Sequence, residues 1–219
     1  QSDKELAKQT YNTIIALNDT EHMAFSQLGV IAFLAKDYQK AEELFTQSLA
    51  INTSAYTLND RGSCYRKLEK FDTAIQDYLA AIDLNTDLAF IYSNLASVYA
   101  KQGDTKKALS YYDLAIKKDA DYALAYNNKA SLLLKNKEYQ KAESAIEKAL
   151  LADTEYAPAF NNRGVLNHQY KKYKDAITDF DKAIKLDANY AKAYLNRGIS
   201  KQMARDENGA CLDWNRAKE

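Results

Sequence analysis

The sequence predicts an all-α chain built as a solenoid of antiparallel helix pairs. Three observations carry that reading. Alanine recurs at Ala41, Ala74, Ala108, Ala142, Ala176 and Ala210, with one gap of 33 residues followed by four of 34. Twelve positions before each stands a small residue: Gly29, Gly62, Ala96, Ala130, Gly164 and Gly198. Four positions after each stands a bulky one (Phe45, Tyr78, Tyr112, Ile146, Phe180 and Trp214), and three further on a small one again (Ser48, Ala81, Ala115, Ala149, Ala183 and Ala217). A period of this length belongs to a two-helix unit that cannot bury its apolar face alone and must stack on its neighbours. Such a stack makes an extended concave wall suited to peptides and proteins.

Each element has its own justification. Residues 1–21 form a half repeat, since Ala7, Tyr11 and Ile14 keep the second-helix spacing and Ala7 lies 34 residues before Ala41. Full repeats follow at 22–54, 55–88, 89–122, 123–156, 157–190 and 191–219. The small eighth-position residues let the first helix approach the twentieth-position alanines of the second. Ser54, Asp87, Asp121 and Asn189 stand just before the next first helix and are expected to cap it, Glu155 less well. Pro158, the one proline, falls in the first turn of a helix, where its missing N–H costs little.

In this registry the chain resembles a tetratricopeptide repeat (TPR) protein over nearly its whole length. Phe25, Leu58, Tyr92, Tyr126, Phe160 and Tyr194 occupy the fourth position, where that pattern places Trp or another large apolar group. The resemblance implies a right-handed TPR superhelix, one solenoid domain over 1–219. Two features depart from it. The proline usual between repeats is replaced by Thr53, Thr86, Ala120, Thr154 and Ala188, and the seventh position carries Arg61, Lys129, Arg163 and Arg197 where leucine is common. The segment from Gly209 to Lys218 resembles the closing motif of TPR proteins exported by some bacteria, which would place the chain in the periplasm or outside the cell. Gln1 reads as a processed N-terminus or as the edge of a longer chain, and the last repeat stops within its second helix.

Composition narrows the function. Thirty basic and thirty acidic residues cancel, which argues against a dedicated nucleic-acid or anionic-membrane binder, and no apolar run is long enough to span a bilayer. Metal, cofactor and catalytic constellations are not seen. The two histidines, His22 and His168, lie four repeats apart without paired ligands, and the glycines stand singly, so no loop cradles phosphate. His168 falls at the twelfth position of a first helix, facing the groove or open surface. Asp179, Asp181 and Glu43 read as members of solvated faces. Cys64 and Cys211 sit at positions usually packed and, four repeats apart, are expected to be unpaired thiols.

The groove-lining positions of the first helices carry the distinctive chemistry. The sixth position reads Gln27, Asp60, Asn94, Asn128, Asn162 and Asn196, with Asn59, Asn127 and Asn161 immediately before. Asparagine is a mediocre helix former, so its repetition on one face needs a reason. A carboxamide both donates and accepts, and a solvent-accessible column of them would hold the peptide groups of an extended ligand. It would resemble the asparagine ladder of some TPR superhelices, including those attached to O-linked N-acetylglucosamine transferases; the alternative is that these amides bond to neighbouring helices. Met23, Val30, Phe33 and Leu34 form an apolar patch that the half repeat could cover. Tyr56 and Phe90 line the wall, and Arg66, Lys67, Lys101 and Lys135 make a basic column at one rim, suited to acidic side chains, although lysine at a helix C-terminus also complements the helix dipole.

One TPR subfamily is disfavoured. The clamp for the C-terminal carboxylate of heat-shock chaperones needs Lys at a fifth and Asn at a ninth position. Here the fifth positions are Ser26, Asn59, Ser93, Asn127, Asn161 and Leu195, and no ninth position is Asn. The sequence therefore predicts a non-enzymatic scaffold that binds a peptide or protein segment in its groove without a cofactor. The alternatives are an assembly element that self-associates through its solenoid ends, or the recognition part of a larger enzyme or secretion complex.

Overall fold

The computed structural model describes residues 2–18 and 21–218, so Gln1 and Glu219, the outer ends of the two incomplete repeats, lie outside the described residues. Among the described residues there are thirteen helices and no strand. They divide between two compact units, Gln1–Lys118 and Asp119–Glu219. The first unit holds α1 (Ser2–Leu17), α2 (His22–Leu34), α3 (Tyr38–Ile51), α4 (Ala55–Lys67), α5 (Phe71–Leu84), α6 (Ala89–Gln102) and α7 (Thr105–Lys118). The second holds α8 (Ala123–Lys135), α9 (Tyr139–Ala152), α10 (Ala157–Gln169), α11 (Tyr173–Leu186), α12 (Ala191–Met203) and α13 (Glu207–Arg216). Each expected repeat is one helix pair, from α2/α3 to α12/α13, and α1 packs on α2 as the half repeat. Within each unit the second helix of a pair packs on the first helix of the next.

The periodic residues hold the pairs together. All six alanines are buried, and so are the rings of Phe45, Tyr78, Tyr112 and Phe180. The small eighth-position residue meets the bulky twenty-fourth more closely than the twentieth-position alanine. A Cβ on Gly29 would lie 2.6 Å from Phe45 Cε1, one on Gly164 2.6 Å from Phe180 Cε1, and one on Gly198 2.5 Å from Trp214 Nε1. The ring fills the space a side chain would need, so glycine here is a packing requirement.

The arginines at the seventh position find partners sixteen residues on, across the same helix pair. Arg61 bonds Asp77, Arg163 bonds Asp179 and Arg197 bonds Asp213. Asp77, Asp179 and Asp213 are buried. The expectation that Asp179 belongs to a solvated face is therefore corrected: it accepts from Arg163 Nε and Nη2 and from Asn167 Nδ2. Asp181 and Glu43 are exposed, paired with Arg197 and Lys40. In the first pair the same two positions are Leu28 and Leu44, both buried, so one slot accepts either a charge pair or an apolar pair.

Helix ends differ from expectation. Ser54 is the N-cap of α4, but its side chain makes no cap bond; Leu88, Tyr122, Tyr156 and Tyr190 occupy the N-caps of α6, α8, α10 and α12. Asp87, Asp121, Asn189 and Glu155 each donate their backbone N–H to a side chain two residues earlier: Asn85, Asp119, Asp187 and Asp153. The turn is thus closed by an Asx residue at the thirty-first position, ahead of the residue expected to cap. Inside the pairs, Asp37, Asp104 and Asp206 accept N–H bonds from Lys40, Lys107 and Gly209. Pro158 lies in the first turn of α10 as expected. At the fifteenth position of every repeat the chain turns through positive φ: Lys36, Glu69, Gly103, Lys137, Lys171 and Arg205. Only one of the six is glycine.

Cys64 and Cys211 are both free. Cys64 is packed and its burial pushes the thiol up to about 12. Cys211, expected to be packed, is exposed.

Candidate functional site

The paired asparagines form links between repeats within each unit. In the first unit Asn94 Nδ2 donates to Asn59 Oδ1 at 2.8 Å. In the second, Asn162 Nδ2 donates to Asn127 Oδ1 at 2.7 Å and to the Asn127 carbonyl at 3.2 Å, and Asn196 Nδ2 donates to Asn161 Oδ1 at 2.8 Å. Each bond joins residues 35 apart, a sixth-position donor and the fifth-position acceptor of the preceding repeat. Asn59, Asn127, Asn161 and Asn162 are buried, whereas Asn94, Asn128 and Asn196 are half-buried. The expected column of solvent-accessible amides is corrected at Asn162, which is buried, while Asn94, Asn128 and Asn196 keep part of their surface. Burying an amide is costly unless it is hydrogen-bonded, and the stacked first helices supply that bond themselves. Asn161 Nδ2 is the exception: it is buried and has no hydrogen-bond partner among the described residues.

Tyr56 and Phe90 stack with ring centroids 5.9 Å apart, and Tyr56 is 57% exposed. Lys67, Lys101 and Lys135 are exposed in the last turns of α4, α6 and α8. Lys67 Nζ lies 6.0 Å from the centre of the Tyr38 ring. Arg66 differs from these lysines. It is half-buried and its Nε–H finds no hydrogen-bond partner among the described residues.

Arg66 opens into a small pocket of the first unit, about 210 Å³, where Val30, Phe33 and Leu34 of α2 face Asp60, Ser63 and Arg66 of α4 over Phe45. The half repeat leaves this apolar patch open: Met23 and Leu34 are 61% and 67% exposed. Burial pushes the Asp60 carboxyl above its ordinary range, and the hydrogen bond from Asn59 only partly offsets this. Ser63 Oγ and the Tyr78 hydroxyl are 2.9 Å apart. Burial raises the Tyr78 phenol, an effect that its hydrogen bond with Ser63 and the charge and hydrogen bond of Arg66 reduce. The sequence located the apolar patch and Arg66 separately. Their meeting depends on how α2 and α4 stack, which residue types alone do not signal.

His168 is no open contact residue: its Nδ1 lies 2.8 Å from Ser200 Oγ and its ring packs on Tyr173. Burial lowers its pKa, favouring the neutral ring. Among the described residues no group of three or more His, Cys, Asp or Glu could hold a metal ion, and no helix is long and apolar enough to cross a membrane.

Stacked two-helix units of this period define the class, an α-solenoid of the repeat type. Comparison with known proteins gives the family: residues 62–103 match the pattern described as TPR repeat, and 93–158 and 157–190 match tetratricopeptide repeat patterns. The chain belongs to the tetratricopeptide repeat family, whose fold serves as a protein-interaction scaffold. Over 75 residues it is 36% identical to heat shock protein STI1 of Saccharomyces cerevisiae, 33% of this chain and 13% of that protein. Over 98 residues it is 35% identical to anaphase-promoting complex subunit 6 of Arabidopsis thaliana, 42% of this chain and 18% of that one. The chain thus spans less than a fifth of either relative. Among solved structures, the APC/C hetero-tetramer Cut9-Hcn1 superposes with a TM-score of 0.86 over 98% of this chain and 43% of that one, at 16% identity, a likeness of fold.

Proposed function

We propose that the chain binds an extended peptide or protein segment along the first-helix faces of its units, as a non-enzymatic scaffold. The observation that supports this most is the face of α4 and α6, where exposed Tyr56 stacks on half-buried Phe90 beside the exposed Lys67 and Lys101. An accessible aromatic stack gives apolar contact area at low entropic cost, and the lysines favour acidic side chains. The half-buried asparagines contribute backbone bonds: a carboxamide has two donor protons and an acceptor oxygen, so Asn94 and Asn196 retain capacity after one bond to a neighbour. Asn128 plays the same part in the second unit.

Peptides selected from a random library on the intact chain provide the test. Acidic, extended sequences are expected, and changing Lys67 and Lys101 together to Glu should weaken them roughly three- to tenfold, as should added salt. Selected peptides whose affinity ignores both the lysines and Tyr56→Ala would remove the groove reading.

A second reading rests on the last pair, where Leu195 and Ile199 are exposed beside Trp214 and Ala217 around an open pocket. There the solenoid end would take a second copy. Light scattering across a concentration series decides it: constant mass rejects self-association, and a rise that Leu195→Glu abolishes supports it.

A further inference from the structure

The pocket between α2 and α4 combines features that no other described cavity shares. One wall is hydrocarbon, from Val30, Phe33 and Leu34; the other carries a cation, Arg66, and a carboxylate, Asp60. Its volume of about 210 Å³ corresponds to roughly seven water molecules. That is below the roughly 300–1,000 Å³ of sites that enclose whole small molecules. It fits one side chain.

The charge arrangement selects what accompanies that side chain. A free carboxylate would meet Arg66 but also Asp60, whose burial already disfavours negative charge. A free amine would face the reverse conflict with Arg66. A neutral group that donates on one side and accepts on the other meets neither, and the backbone of one extended residue is such a group, because its N–H and C=O point to the same edge.

We propose that this pocket is a subsite for one branched apolar residue of an extended peptide, held by its own backbone: side chain against Val30, Phe33 and Leu34, carbonyl accepting from the Arg66 guanidinium, and N–H donating to the Asp60 carboxylate. The subsite deepens the groove reading and rests on it for its biological ligand. It gives the peptide an apolar anchor and a register, which the exposed lysines cannot supply because charge attraction tolerates sliding.

The test uses the intact chain and a neutral probe, N-acetyl-leucine methylamide, followed through the Arg66 guanidinium and the backbone amides of α2 and α4 by NMR. A saturable shift is expected, with a dissociation constant on the order of 1 mM for so small a ligand. Leu34→Ser, at a mostly exposed position that leaves folding intact, should weaken it at least threefold, and Arg66→Met should abolish it. The proposal is overturned if 4-methylpentanoate shifts Arg66 and the neutral probe does not, which would make the pocket an anion site. It is also overturned if isoamylamine alone binds, or if none of the three perturbs α2 and α4. A long library-selected peptide run in parallel separates the two readings. Shifts along α6, or along α8 and α10, with none around Arg66 would leave the groove and reject this subsite, whereas probe binding at Arg66 without long-peptide binding would retain the subsite and reject the groove.

Discussion

Arg61 and Asp77 meet as a fork across the α4/α5 pair, Nε on Oδ2 and Nη2 on Oδ1, each at 2.8 Å. Their side chains are only 20% and 9% exposed, yet the α2/α3 pair fills the same slot with Leu28 and Leu44. Breaking a shielded pair strands one charge, while replacing both partners with well-packed apolar groups is often neutral. Arg61→Leu alone should destabilise the first unit by about 1–3 kcal/mol, and Arg61→Leu with Asp77→Leu should recover most of it. A double-mutant cycle by urea denaturation measures the coupling; additive losses would show that the pair is not a unit.

The asparagine links predict a division between stability and binding. Asn127→Ala leaves Asn162 Nδ2 without its 2.7 Å acceptor in a buried setting and should cost about 1–3 kcal/mol. Asn128→Ala, at a half-buried position, should change melting little and act on peptide affinity instead. Equal melting losses for the two would remove the distinction.

Close approach at the glycines predicts which will accept a methyl group. On Gly164 an added Cβ would press on Phe180, which is 1% exposed and has no room to move, so Gly164→Ala should cost about 1–3 kcal/mol. On Gly62 the nearest atom would be 3.1 Å away, and the helix propensity gained, about 1 kcal/mol, should bring Gly62→Ala close to neutral. Thermal melts of the two variants give the comparison. Ala142→Leu, at a position 0% exposed, should behave like Gly164→Ala or worse.

Five side-chain-bearing residues turn through positive φ where Gly103 alone is at ease. A left-handed residue costs roughly 1–2 kcal/mol, of which glycine's extra chain entropy returns part. Glu69→Gly and Lys171→Gly should each stabilise by about 0.5–1 kcal/mol, and Gly103→Lys should lose a similar amount, read from denaturation midpoints.

Asp213 supplies a pH dependence. Burial pushes its carboxyl up, but bonds from Arg197 and Lys201 outweigh this and hold it below the ordinary value. A depressed folded pKa means that the unfolded chain takes up the proton first. The stabilisation is therefore complete well above the unfolded value of about 3.9 and is lost as pH falls through the lower folded value. The stability difference between the parent and Asp213→Asn should hold constant down to about pH 5 and shrink as pH falls from there toward 2; a difference independent of pH would show that the charge is not the stabilising element.

Helix pairing was legible before any coordinates because its cause repeats: a ring, an alanine and a small residue return every 34 positions, and each pair packs through contacts a few turns apart in one unit. The Asx turns and charge forks were legible in principle as well, since Asn85, Asp119, Asp153 and Asp187 share one register position and Asp77, Asp179 and Asp213 another. They went unread because carboxylates on amphipathic helices are ordinarily solvated. What the amino-acid order determined by itself is the repeat and the helix pairs. Only the tertiary structure decided that Asn59, Asn127 and Asn161 serve as acceptors for the next repeat, that Arg66 keeps an unused donor, and that Val30, Phe33 and Leu34 stand across from it. Those outcomes depend on the stacking of first helices whose facing residues lie about 35 positions apart, and an amide or a guanidinium has the same donors and acceptors whether its partner is a neighbouring helix or a ligand.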